Sequence, residues 1–207
     1  MSVLMRNRRS NYLPESSGFL TGGNMFAVVS GGSCSGKSAF AEDRVKALAE
    51  EIRQAGREPS LYYAATMQVL DDESIARVKR HRAMRAGKGF STVECPVDVC
   101  NAFADLSGEG SAVLLECLSN LVANEMFRGP QPVPEETVVR KVTEELRELR
   151  KKTEHLVIVT NNIFEDGTAY DEYTLAYIRA LGRINAAIGR EADEMTEVVC
   201  GIPVRIR

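Results

Sequence analysis

The segment MFAVVSGGSCSGKSAF, residues 25–40, decides the fold. Its first six residues are a short apolar run of the kind buried in a parallel sheet, glycines follow at once, and helical composition begins at residue 38. Inside it GGSCSGKS, Gly31 to Ser38, fits G-x-x-x-x-G-K-[ST] in the strand, loop, helix context that this pattern needs. Gly31 and Gly36 let the backbone close round phosphates, so that the amides of Gly32, Ser33, Cys34 and Ser35 and the helix N-terminus face negative charge. Lys37 is placed to reach the β- and γ-phosphates, and the Ser38 hydroxyl to ligate Mg2+. A glycine-rich turn with a chance lysine explains the full pattern less well than nucleotide binding does. Cys34 occupies a variable position and reads as a small residue there rather than as a redox sensor.

Working outward, SLYYAA (60–65), FSTVE (90–94), AVLLE (112–116), HLVIVT (155–160), MTEVVC (195–200) and IPVRIR (202–207) read as further strands. Helices are expected over residues 38–55, from Asp71 through DDESIARVKRHRAM, over 96–106, over 120–127 and over 172–192. Another follows the proline-rich loop at 128–136, with Val138, Val142, Leu146 and Leu149 at helical spacing. Strands alternating with helices predict one α/β domain over residues 25–207, of the P-loop NTPase type, with a mostly parallel sheet flanked by helices. Residues 1–24 carry three arginines and scattered Ser, Gly and Asn without an apolar run, and read as a flexible extension. Met25 is itself a candidate start.

Composition narrows the partners. Apolar residues at 44% and charged residues at 27% match globular averages, and no apolar run approaches the roughly 18 residues of a membrane span. A net charge of -3 argues against bulk attraction to nucleic acid or anionic lipid, so basic patches are judged locally. The five cysteines form no CxxC pair, which suits reduced thiols in the cytoplasm and suggests neither a zinc site nor a disulfide framework.

Phosphate loops pair with an acidic residue at the end of a neighbouring buried strand, and Glu116, which ends AVLLE, is the candidate metal partner. A plain strand-terminal carboxylate is the alternative. Asp71, Asp72 and Glu73 need only the helix macrodipole to explain them. His155 opens a strand, matches no motif, and reads as structural.

The stretch RVKRHRAMRAGK, residues 77–88, holds six of the 26 Lys and Arg residues, with no carboxylate from Ser74 to Val93 to neutralise them. Arg77, His81 and Arg85 are spaced four apart and share one helix face. Alone, this is a solvated basic face or a nucleic-acid patch. Beside a phosphate loop it becomes a place where cations offset a triphosphate and an imidazole can attack phosphorus.

With VVSGGSCSGKSAFAE, YYAATMQVLDDESIARVKRHRAMR, FSTVEC, AVLLECLSNLVANEMF, VIVTN and ALGRIN, the chain resembles the bifunctional adenosylcobinamide kinase / adenosylcobinamide-phosphate guanylyltransferase family, the CobU or CobP type, over residues 25–207. The resemblance implies that His81 is the residue guanylylated by GTP. It also implies GTP contacts at Thr66, Met67, Gln68, Arg82, Glu94 and Glu116, with ATP or GTP and adenosylcobinamide or its phosphate as substrates. A homo-oligomer, possibly a trimer, is implied as well. After VIVTN the family continues with a glutamate and a glycine-rich stretch ending in proline, whereas this chain has NNIFEDGTAYD. Asn162 replaces the carboxylate, Phe164 and Asp166 replace glycines, and Ala169 stands at the proline position. Arg179 stands where aspartate is common. Altered acceptor binding is therefore expected, and two other readings stay open: a P-loop kinase of another small molecule, and a GTP-binding protein without transferase activity.

Overall fold

The computed structural model describes residues 23–68, 87–106, 108–163 and 170–207. Among these residues the strands are β1 Met25–Ser30, β2 Ser60–Ala65, β3 Phe90–Glu94, β4 Ser111–Glu116, β5 His155–Val159, β6 Glu194–Val199 and β7 Ile202–Arg205. The helices are α1 Lys37–Gln54, α2 Val99–Ala102, α3 Leu118–Met126, α4 Glu135–Lys151 and α5 Glu172–Glu191. One seven-stranded sheet has the order β3-β2-β4-β5-β1-β6-β7, parallel throughout except for the β6–β7 hairpin.

Parallel strands covered on both faces read as unbroken apolar runs, because side chains on either side of the pleat meet a helix. β5 is buried from His155 to Val159, and β4 from Ser111 to Leu115. On one face α1 brings Ala41, Val45 and Leu48 onto Ala27, Val29, Leu114 and Val159. On the other, the expected stripe of Val138, Val142, Leu146 and Leu149 packs from α4 with Leu181, Ile184 and Ile188 of α5 onto Phe26, Val28, Val113 and Leu115. Glu135 and Glu136 at the start of α4 pair with Arg179 and Arg183 of α5, so Arg179 here joins two helices. These pairs are solvated; they fix helix orientation more than they stabilise the fold.

The short helix differs from expectation. Residues 96–106 yield only Val99–Ala102, because Asp98 takes a left-handed conformation (φ 50°) and donates its N–H to Glu125 Oε1 at 2.9 Å. That tertiary bond outranks local helical composition. His155 lies at the N-terminal end of β5, away from the phosphate loop, and its Nδ1 accepts from Met25 N at 3.2 Å. It is buried, and burial pushes its pKa down. The structural role expected for it fits this place.

Candidate functional site

β1 delivers the chain to the loop Gly31–Lys37 at the C-terminal edge of the sheet, where ligands of open α/β proteins bind. Space at Gly31 is tight: a Cβ there would stand 2.6 Å from both Val198 O and Ser35 Oγ, which no larger residue tolerates without shifting the backbone. Gly36 caps α1 with φ 93°, a conformation that favours glycine. No side chain caps α1, so its first N–H groups are free of a competing carboxylate or hydroxyl cap. Cys34 is exposed and holds φ 56°, an uncommon value outside glycine. The loop leans on the β6–β7 turn through Gly201 N, which donates to Ser35 O at 2.8 Å. The Lys37 ammonium, mostly buried, donates back to Gly32 O at 3.0 Å. The lysine head is thus held over the loop where phosphate oxygens can replace a carbonyl.

Ser38 Oγ donates to Glu116 Oε1, and Tyr63 OH donates to Glu116 Oε2 at 2.9 Å. The expected neighbouring strand proves not to be adjacent: β5 lies between β1 and β4, and the loop with α1 spans it to bring Ser38 to Glu116. Glu116 is in this way separated from β1 by a strand, yet meets Ser38 in the first turn of α1. Behind it Thr66 is fully buried, its N–H on Glu116 O at 3.2 Å and its hydroxyl on Cys117 O at 2.8 Å. Asn124 from α3 donates to both Thr66 O and Pro96 O, at 2.7 and 2.8 Å, tying the ends of β2 and β3 together. Asn161 donates to Ser119 Oγ at 2.6 Å, and Tyr177 OH to Ser119 O at 3.3 Å; burial pushes the Tyr177 phenol up to about 12, so it stays a donor.

The strand ends align. Glu94, Ala65, Glu116, Val159 and Val29 form one row across β3, β2, β4, β5 and β1. Glu94 is four strands from β1, roughly 19 Å at about 4.8 Å per strand, so it belongs to a different part of the edge from the phosphate loop. Thr66, Met67 and Gln68 lie between, on the segment leaving β2.

A second carboxylate cluster, Asp98, Glu125 and Glu145, has its oxygens within 4.8 Å of one another, close enough for a cation. Lys141 already occupies it, 2.7 Å from Asp98, 3.0 Å from Glu145, and in contact with Glu125. The Lys141 hydrogen bond holds Asp98 below the usual carboxylate range, while burial raises Glu145. This is a closed ion cluster between α2, α3 and α4.

The family model described as cobinamide kinase / cobinamide phosphate guanyltransferase, CobU, matches residues 27–206. The chain belongs to this family. Among curated proteins it is similar to the bifunctional adenosylcobalamin biosynthesis protein CobU of Salmonella typhimurium, 31% identical over 193 residues, covering 88% of this chain and 100% of the relative. The CobU protein of Escherichia coli is 28% identical over 192 residues, covering 88% and 100%. The bifunctional adenosylcobalamin biosynthesis protein CobP of Pseudomonas aeruginosa is 27% identical over 181 residues, covering 87% and 96%.

For this CobU-family chain the structure brings Gly31, Gly32, Ser35, Gly36, Lys37, Ser38 and Glu116 into one cluster, with Ser33 and Cys34 on its exposed rim. Thr66 shares the Glu116 hydrogen-bond network, and Glu94 ends β3 farther along the same edge. His81 and Arg82 lie outside the described residues, as do Phe164, Asp166 and Ala169 of the altered loop. Sequence reasoning missed Tyr63, Asn124 and Ser119. Tyr63 had a legible signal: a tyrosine on a buried strand needs a partner for its hydroxyl. Asn124 and Ser119 gave none, since their partners are backbone atoms and a side chain from distant segments.

Proposed function

We propose that this chain, as a nucleotide-dependent transferase of cobalamin biosynthesis, phosphorylates the hydroxyl of the adenosylcobinamide aminopropanol arm. It then converts the phosphate to adenosylcobinamide-GDP through a guanylyl-histidine. The observation that carries the reading is the joined set of Lys37, Ser38 and Glu116 on a loop that only glycine can build at Gly31.

A hydroxyl and a carboxylate in contact, Ser38 and Glu116, offer the hard oxygen donors that Mg2+ selects, so these residues fit that ion. When bound it neutralises charge shared between the β- and γ-phosphate oxygens. Lys37 leaves Gly32 O for the phosphates, and the loop amides hold the remaining oxygens in place. Tyr63 keeps the Glu116 carboxylate from rotating away from Ser38.

In the second half reaction His81 attacks the α-phosphorus of GTP, pyrophosphate leaves, and cobinamide phosphate then displaces GMP from the imidazole. Thr66, Met67, Gln68, Arg82 and Glu94 are assigned to the bound nucleotide. The five free cysteines suit a cytoplasmic enzyme, and a homo-oligomer, a trimer first, is the proposed assembly.

Incubation with α-labelled GTP and Mg2+ tests the guanylyl step. The wild type acquires an acid-labile label and His81→Ala does not; an unlabelled wild type under conditions that turn over nucleotide overturns that step. One observation favours a second reading, kinase action on another small alcohol: Asn162 stands beside the phosphate loop at the family's carboxylate position. ATP turnover with other acceptors and none with adenosylcobinamide would select it.

A further inference from the structure

The altered position Asn162 is not an isolated loss of charge. Its backbone N–H donates to Gly31 O at 3.1 Å, which seats it on the mouth of the phosphate loop, and its side-chain amide donates to Glu197 Oε1 at 3.2 Å. Glu197 lies near the C-terminal end of β6, paired in register with Ser30, the last residue of β1 before the loop. A half-buried carboxylate therefore stands next to the place where a polyanion binds. Among the described residues no Lys or Arg pairs with it, and Asn162 is its one hydrogen-bond partner. A negative charge in that position weakens nucleotide binding by like-charge repulsion unless it does work on the other substrate.

The pleat says which substrate. Val198, the next residue, packs into the α1-side core, whereas Met195, two residues before Glu197, packs against the α4 and α5 side. Alternation along a strand puts Glu197 on the α5 side with Met195. The phosphate loop runs into α1 on the opposite side. In an in-line transfer the attacking and leaving oxygens lie on opposite sides of phosphorus, so an acceptor that comes to the loop from the α5 side meets Glu197.

Resting on the proposed kinase activity and deepening it, we infer that Glu197 is the acceptor-side carboxylate of phosphoryl transfer. In this chain it takes the place of the carboxylate that the family pattern puts at 162. Its free oxygen accepts the proton of the acceptor alcohol as the alcohol oxygen forms its bond to the γ-phosphorus. The bond from γ-phosphorus to the β,γ-bridging oxygen breaks, nucleoside diphosphate departs with that oxygen and both bonding electrons, and the proton passes from Glu197 to solvent. Asn162 acts through Glu197 as a positioning residue, holding the other oxygen so that the free one faces the alcohol.

The test uses the full chain with adenosylcobinamide, ATP and Mg2+, alongside labelling from α-labelled GTP. Glu197→Gln lowers the kinase kcat by about 10²-fold, the usual share of a general base. Its KM for ATP changes by less than about twofold, because uniform nucleotide binding is untouched, and protein labelling from GTP persists. The double variant Asn162→Glu with Glu197→Gln returns the carboxylate to the loop and recovers at least about tenfold of the lost rate. A Glu197→Gln enzyme with the wild-type kinase rate overturns the assignment. So does equal loss of kinase and labelling, or a double variant no better than the single one; each points to a structural role. A wild type that labels from GTP yet never phosphorylates adenosylcobinamide overturns the kinase reading itself, and the assignment with it.

Discussion

Two carboxylate groups in this chain, Glu116 at the end of β4 and the cluster between α2, α3 and α4, differ in what meets them. Glu116 is met by hydroxyls, from Ser38 and Tyr63. Asp98, Glu125 and Glu145 close on one ammonium, that of Lys141, with Arg128 3.5 Å from Glu125. Hydroxyls hold a carboxylate in place while leaving its charge for a metal or phosphate site to use. An ammonium offsets part of the charge and ties three helices together. Carboxylate density alone therefore points to the cluster that Lys141 already fills, and the charge of the partners points to Glu116 as the candidate site.

The comparison breaks most visibly if Lys141 is replaced. Lys141→Met leaves the fully buried Glu125 beside two other carboxylates and destabilises the fold by about 3 kcal/mol, the cost of breaking a buried ion pair. Denaturant titration should show it, and the folded fraction should keep its kinase rate per molecule. Glu116→Gln does the reverse. The amide still accepts one of the two hydroxyls, so the melting temperature barely moves, while phosphoryl transfer drops by about 10²-fold, as for loss of one preorganised electrostatic group. If Glu116→Gln unfolds the chain and Lys141→Met abolishes catalysis, the two roles have been exchanged.

Gly31→Ala sharpens the same contrast from the backbone. The added methyl meets Val198 O at 2.6 Å, so the loop opens from β6 and nucleotide affinity falls by more than about tenfold, while a cost of only about 1 kcal/mol to the fold is expected. Isothermal titration with a non-hydrolysable triphosphate reads the first, thermal melting the second.

The smallest effect lies at the opposite end of the sheet. His155 is buried with its pKa pushed below 6.5, whereas the unfolded chain protonates at about 6.5. Between the two values the unfolded state binds more protons, so stability falls as pH drops below about 6.5, by at most about 1.4 kcal/mol per pH unit. His155→Gln keeps an acceptor for Met25 N and flattens that slope in melts between pH 5 and 7 on the order of those pKa values. Catalysis should not follow it.

Much of the fold was legible because its signals are local. β1, β2 and β3 run over the residues that composition marked, and the α4 stripe faces the core as spacing required. What failed was non-local. Nothing in AVLLE says that β5 will insert beside it, and Asp98 abandons helical geometry for a carboxylate 27 positions away. The same holds for the site. Gly31 to Ser38 and Glu116 could be read as a candidate site from residue type and context, whereas the hydrogen bonds of Tyr63, Asn124 and Glu197 go to partners that only the sheet order brings near.

The most direct test follows the γ-phosphate. Purified chain given γ-labelled ATP, Mg2+ and adenosylcobinamide should move the label into the corrinoid, and Lys37→Ala should lose that transfer by about 10³-fold, in line with removal of a charge clamp on the transferring group. A wild type that binds ATP yet leaves the corrinoid unlabelled would contradict the account.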